Sequence, residues 1–257
     1  IRVIHERCCG LDVHKKNVVG CVITPEIREI RSFGTMTEDL EAMIEWVKSH
    51  GCTHIALEST GVYWKPVYNL LESTDLEILV FNPQHLKALA GRKSDVKDAE
   101  RIAECLQHGL IRPSNIPDKS RRELQELVRY RRTLIEERAR EKNRLQKVLE
   151  GANIKLASIA TDITGLSAWS MLKELLQGET DTDKVANMAK GLLRKKIPEI
   201  KKALRGYIGD HQRLMLELHL SRIEQLDEHI AQLDEEIEQR TRPFEKALEL
   251  IDTIPGV

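Results

Sequence analysis

Four acidic residues have the type and placement that metal-dependent chemistry requires. Asp12 lies in the first apolar segment, and Glu58 ends another short one. Asp95 and Asp98 are three residues apart in a predicted helix, so both belong to one helix face. Crowded carboxylates raise each other's pKa unless a divalent cation neutralises them, and hard oxygen ligands favour Mg²⁺ or Mn²⁺. Two such ions can activate a nucleophile and stabilise the leaving oxygen in phosphodiester cleavage.

Each acid also has an ordinary interpretation, and spacing alone leaves both open. Glu58 precedes Ser-Thr-Gly and could cap the following helix, while Asp12 could accept a turn hydrogen bond. Two Asp residues three apart are common on helices. His14, Lys15 and Lys16 are interpreted as turn residues that could bind a phosphate placed near them.

The acids are positioned by a predicted α/β domain over residues 1–117. Three short strands at 9–14, 18–23 and 27–33 form a predicted meander, and an amphipathic helix begins at Thr37. A strand ending at Glu58, a second helix and a buried strand at 76–81 follow. This order predicts a mixed sheet covered by helices. The strand-borne acids could then meet the Asp pair at one end of the sheet.

The sequence pattern of residues 118–247 predicts a domain made only of helices. Residues 120–150 contain no proline or glycine and predict a helix of about 30 residues, roughly 45 Å long. Shorter helices follow, with breaks at Gly165, Gly178 and Pro198. A heptad seam then favours a parallel two-stranded coiled coil, with antiparallel packing on the first long helix as the alternative. The seam has Leu216, Ile223, Ile230 and Ile237 at a, and His219, Leu226 and Leu233 at d.

Composition excludes several classes of protein. Of 257 residues, 41% are hydrophobic and 4% aromatic, with 14 Gly and 8 Pro, which excludes collagen and low-complexity disorder. The five cysteines form no C-x-x-C pair, so they are predicted to be reduced. Cys8 and Cys9 are predicted to pack as small apolar groups. No apolar run approaches the ~18 residues of a membrane span. An intracellular protein without a membrane partner is therefore expected.

Charge is informative only locally, because the net charge is −1. Residues 112–147 carry 12 basic against 6 acidic residues, 190–213 carry 8 against 2, and 215–241 carry 2 against 8. The opposite charges could pair across the helical arm, or the basic stretches could bind a phosphate backbone. The residues predicted to bind nucleic acid are Lys15, Lys16, Arg92, Lys93, Arg121, Arg122, Arg129, Arg131, Arg132, Arg194, Lys195 and Lys196.

Motifs in a fixed order cover nearly the whole chain. The first four are Gly10-Leu-Asp-Val-His-Lys-Lys16, Leu57-Glu-Ser-Thr-Gly-Val-Tyr-Trp-Lys-Pro66, Phe81-Asn-Pro83 and Gly91-Arg-Lys-Ser-Asp-Val-Lys-Asp-Ala99. Further motifs lie at 108–113, 153–156, 162–165 and 192–196. Together they resemble the DEDD transposases of insertion sequences 110, 116 and 902.

The resemblance implies a RuvC-like, ribonuclease H type catalytic domain followed by an all-α coiled-coil domain. It assigns the catalytic and metal-binding roles to Asp12, Glu58, Asp95 and Asp98, with Mg²⁺ or Mn²⁺ as cofactor. The implied partners are donor and target DNA, a structured bridge RNA, and further copies of the chain in a dimer or tetramer joined through the coiled coil. The implied location is the cytoplasm of a prokaryote, at the nucleoid when the protein acts.

The resemblance also implies a further C-terminal domain with a nucleophilic serine. Residues 248–257 resemble its start, and Ser94, Ser114 and Ser120 lie in the wrong region. The expectation is therefore a truncated transposase that is inactive alone in strand exchange. Two other hypotheses are a stand-alone structure-specific nuclease, such as a Holliday junction resolvase, and a non-catalytic fragment that binds nucleic acid and oligomerises.

Overall fold

The chain forms two compact units, unit 1 (Ile1–Pro117) and unit 2 (Asp118–Val257). The structure is a computed structural model that describes residues 2–84 and 95–254, but not the side chains of residues 95–97, 248 and 252.

Unit 1 is built on a five-stranded sheet with the order β3-β2-β1-β4-β5. Its strands are β1 (Cys8–Val13), β2 (Val18–Ile23), β3 (Arg28–Phe33), β4 (His54–Glu58) and β5 (Glu77–Phe81). The first three strands form the predicted antiparallel meander, whereas β4 pairs in parallel with both β1 and β5. Strands β1, β4 and β5 therefore end at one edge of the sheet, which we call the carboxyl edge.

Helices cover both faces of this sheet. They are α1 (Thr37–Ser49), α2 (Trp64–Leu71) and α3 (Asp95–Gln107). Leu11 and Leu57 pack with α1 and α2 in one apolar cluster, while Cys8 and Ala56 pack with α3 in another. Strand side chains alternate between faces, so the same strands supply both clusters.

The five cysteines form no disulfide, as predicted, and all five are buried. Burial raises the pKa of the Cys8 and Cys21 thiols to about 12. These cysteines therefore act as small apolar side chains of the core.

Unit 2 is helical in the part that the structure describes. Its α-helices are α4 (Lys119–Gly151), α5 (Leu166–Leu176), α6 (Thr182–Ala186), α7 (Ile197–Ala203), α8 (Asp210–Thr241) and α9 (Glu245–Asp252). Asp118 caps α4 by accepting a hydrogen bond from the backbone N–H of Arg121, at 3.0 Å. The break expected at Pro198 corresponds to the start of α7 at Ile197, because this proline lies in the first turn of that helix, where its missing N–H costs nothing. The boundary predicted between residues 247 and 248 falls inside α9.

The two long helices pack against each other in antiparallel orientation within the chain. Ion pairs join the two helices: Glu123 with Arg240, Arg131 with Asp234, and Arg138 with Asp227. Residue numbers thus rise along α4 as those of the partners on α8 fall. The antiparallel alternative is thus the arrangement observed. The seam buries Leu134 and Leu145 of α4, and Leu216, Leu220, Ile223 and Leu226 of α8.

An α/β unit followed by a helical unit confirms the predicted class of fold. Among the described residues, no helix combines the length and apolar character that crossing a bilayer requires.

Candidate active site

Asp12 and Glu58 lie on adjacent parallel strands at the carboxyl edge. Leu11 of β1 pairs with Leu57 of β4, so the two acids are the next residues along neighbouring strands, which run ~4.8 Å apart. Asp12 shares a face of the sheet with Gly10, and Glu58 shares it with Ala56. Both acids therefore belong to the face that α3 covers.

The first turn of α3 is directed to the same edge. The backbone N–H of Ile4 donates to the carbonyl of Gln107, at 2.8 Å. The Cys8 thiol lies 3.7 Å from the carbonyl of Ala103, and Gly10 faces Ala99 and Ala103. Residue numbers therefore fall along α3 as they rise from Ile4 to Gly10, so α3 runs antiparallel to β1.

This direction places Asp98 near the level of Asp12. From Gly10 to Asp12 the strand advances by ~6.6 Å, and one turn of four helix residues covers ~6 Å. The part of α3 that faces Asp12 therefore lies about one turn before the part that faces Gly10. Asp98 is half-buried there, one turn before the buried Ile102. Asp95 is the first residue of α3, but its side chain lies outside the described residues.

Local contacts hold two of the acids. Asp12 is 14% exposed, and its Oδ2 lies 2.9 Å from His14 Nε2. The Thr60 hydroxyl donates to Glu58 Oε1. Sequence reasoning treated His14 as a turn residue and did not single out Thr60. The signal available for His14 was its spacing of two from Asp12, which places both on one strand face.

The donor set has the chemistry of a hard-cation site. Asp12, Glu58 and Asp98 offer carboxylate oxygens alone, which is what Mg²⁺ and Mn²⁺ prefer. Among the side chains that the structure describes, no three His, Cys, Asp or Glu residues form a ready-made metal site. The side chain of Asp95 is not among them. Mg²⁺ commonly keeps several waters and takes further ligands from substrate phosphates, so a partial protein set is compatible with it.

The predicted nucleic-acid-binding residues differ in their environment. Lys15 and Lys16 are exposed in the β1–β2 hairpin, directly after Asp12 and His14. Arg129, Arg194 and Lys195 are exposed, and their side chains form no hydrogen bond or ion pair with the described residues. Arg122 is half-buried. Arg92 and Lys93 lie outside the described residues.

The other predicted basic residues have local partners. Arg131 pairs with Asp234 across the two long helices, as the charge-pairing interpretation predicts. Arg121 and Arg132 pair within α4 or its cap, with Asp118 at 3.3 Å and Glu136 at 3.2 Å. Lys196 donates to the carbonyl of Ile159, at 3.4 Å.

Comparison with known proteins adds one finding. A family model described as a transposase, that of the DEDD transposases of insertion sequence 110, matches residues 9–154. Together with the five-stranded mixed sheet, this match confirms the expected RuvC-like class of fold. No curated protein matches the chain.

Proposed function

Because the chain belongs to the DEDD transposase family of insertion sequence 110, and is thus a transposase that acts on DNA, we propose that its carboxyl edge carries metal-dependent phosphodiester chemistry. The proposed metal-binding residues are Asp12, Glu58, Asp95 and Asp98. The observation that carries the proposal is the placement of Asp12, Glu58 and the first turn of α3 on one face and at one edge of the sheet.

The residues of the edge have distinct roles in this proposal. The acids hold Mg²⁺ or Mn²⁺, which supplies Lewis-acid activation of the attacking and leaving oxygens. His14 and Thr60 orient the Asp12 and Glu58 carboxylates through the contacts described above. Lys15 and Lys16, in the adjoining hairpin, bind phosphates on either side of the reacting link.

The other partners follow from the family together with the exposed charge. We propose that Arg129, Arg194 and Lys195 contact the sugar-phosphate backbones of donor and target DNA and of a structured guide RNA. Their exposure, and the absence of side-chain partners within the described chain, support this role. Arg121, Arg131 and Arg132 are weaker candidates because nearby acids already compensate their charge.

A homo-oligomer remains part of the proposal, but the buried seam between α4 and α8 is used within one chain. Exposed apolar residues elsewhere on these two helices support contact between copies. They are Val128, Tyr130 and Ile135 on α4, and Leu214 and Leu218 on α8. Covering them in a dimer or tetramer would remove apolar surface from water.

Mn²⁺ titration tests the metal site. Asp12→Asn, Glu58→Gln and Asp98→Asn should each weaken Mn²⁺ binding at least about tenfold in the presence of DNA, since even loss of an outer-shell group costs 10- to 100-fold. Isothermal titration calorimetry, with the same DNA in each cell, measures the change.

Asp75→Asn is the matched control. Its side chain is 88% exposed and precedes β5, at the opposite edge of the sheet, so Mn²⁺ binding should not change. Wild-type affinity in all three edge variants would refute the metal site. Cleavage of branched DNA by the chain alone would favour the stand-alone nuclease instead.

A further inference from the structure

The turn that follows Glu58 presents two apolar side chains to solvent. Val62 is 62% exposed and Tyr63 is 44% exposed, although the next residue, Trp64, packs against the core cluster of α1 and α2. Single exposed apolar residues are common on proteins, so exposure alone decides nothing. The placement and fixation of this turn are what distinguish it.

Contacts on both sides fix the turn. The N–H and hydroxyl of Ser59 donate to the carbonyl of Phe81 at the end of β5, at 2.9 and 3.1 Å. Thr60 donates to Glu58, and Gly61 takes a φ of +61°, which glycine adopts without strain. Beyond the turn, the Trp64 ring packs edge-on against Tyr68, with centroids 5.7 Å apart. Tyr63 is therefore held on a rigid base.

The ring of Tyr63 lies beside the turn that follows Glu58. A Cβ placed on Gly61 would lie 3.9 Å from Tyr63 Cδ2, so the ring lies beside Gly61. Gly61 is three residues after Glu58, and three residues span at most ~10 Å. At ~3.4 Å per nucleotide this reach corresponds to about three stacked nucleotides.

We propose that Tyr63 stacks on an unpaired base of the DNA strand whose phosphate is bound at the carboxyl edge, and so acts as a positioning residue. The inference rests on the proposed function, because it assumes that the strand passes Glu58. A base inside a continuous duplex is stacked on both faces, so an exposed aromatic ring can stack only on a base that is unpaired, terminal or flipped. The proposal thus adds a property of the substrate: the strand is locally single-stranded beside the reacting phosphate.

Fluorescence of 2-aminopurine reports stacking directly. The probe is a 20-nucleotide single-stranded DNA of mixed sequence with 2-aminopurine at several positions, compared with its fully paired duplex. Tyr63→Ala and Tyr63→Leu should abolish the quenching seen with the wild type and weaken single-strand binding about fivefold or more. Binding to the duplex should change less than twofold. Tyr63→Phe keeps the ring and should match the wild type.

Ile27→Ala is the matched control. Ile27 is a 40% exposed apolar residue in the β2–β3 turn, at the opposite edge of the sheet, so neither readout should change. Wild-type quenching and affinity with Tyr63→Leu would overturn the proposal. The proposal would also fail if Tyr63→Leu weakened binding to the duplex as much as to the single strand, or weakened binding only to an RNA of the same sequence. Absence of 2-aminopurine quenching by the wild-type protein would overturn it as well.

Mn²⁺ titration of the same variants separates this proposal from the metal site. Tyr63→Leu should keep wild-type Mn²⁺ binding, whereas Glu58→Gln should lose it. If Glu58→Gln keeps it, the metal site fails, and the fluorescence result still decides whether Tyr63 stacks on a base.

Discussion

Gly10 lies in the middle of β1, where α3 crosses the sheet too closely for any side chain. A Cβ at this position would lie 2.3 Å from the backbone nitrogen of Ala103 and 2.6 Å from the carbonyl oxygen of Ala99. Ordinary contact begins near 3.4 Å, so Gly10→Ala requires α3 to retreat by about 1 Å. The obstacles are backbone atoms of a packed helix, which cannot rotate away as a side chain would.

The expected cost of Gly10→Ala is about 3 kcal/mol of unfolding free energy, the upper end of the usual range for overpacking. At about 2 to 4 °C per kcal/mol for a chain of this size, Tm should fall by about 6 to 12 °C. The same displacement moves the first turn of α3 away from Asp12. Since misplacement by 1 Å can cost ~100-fold in rate, we expect Mn²⁺ binding and DNA chemistry to suffer even at temperatures where the variant is folded.

Urea unfolding followed by circular dichroism, together with Mn²⁺ titration at 15 °C, measures both effects. Gly151→Ala is the control, because a Cβ there meets nothing within 4 Å at the end of α4. That change should be neutral or stabilising by up to about 1 kcal/mol. If Gly10→Ala unfolds within 0.5 kcal/mol of the wild type, on the order of a typical surface substitution, α3 does not pack on β1 as described.

Two further predictions concern buried groups. Because burial raises the pKa of Cys8 and Cys21 to about 12, a thiol reagent at pH 8 should leave both unmodified in the folded protein and modify them in urea, as mass spectrometry would show. Rapid modification without urea would contradict the core placement. Burial opposes ionisation of Glu141, but hydrogen bonds from His219 and Arg144 outweigh it and lower the pKa of Glu141 below 4.5. Its contribution to stability is therefore present above pH 4.5 and lost as the pH falls through the lowered pKa. Glu141→Gln should make the urea midpoint of unfolding less dependent on pH between about pH 5 and 3. If the pH dependence of the midpoint is unchanged, groups other than Glu141 cause the loss of stability in acid.

The strands and long helices were predictable because their signals are local. Alternating apolar residues marked β1 to β5 to within one or two residues, and the run free of proline and glycine marked α4. The break expected at Pro198 lies next to the start of α7, because proline suits the first turn of a helix, where no backbone N–H is needed. Leu216, Ile223 and Leu226 of the predicted heptad pattern are buried. The pattern did not decide their partner, because the same apolar stripe suits a parallel and an antiparallel neighbour.

The sequence by itself determined which residues carry charge and which segments form strands or helices, since these properties depend on residue type and on spacing over a few positions. Only the tertiary structure decided that β4 lies beside β1 in parallel, and that α3 runs back along β1 with its first turn at the carboxyl edge. Asp12 and Asp98 are separated by more than eighty positions in the chain. Their placement at one edge of the sheet depends on the pairing of strands and on the close contact at Gly10, neither of which a local pattern encodes.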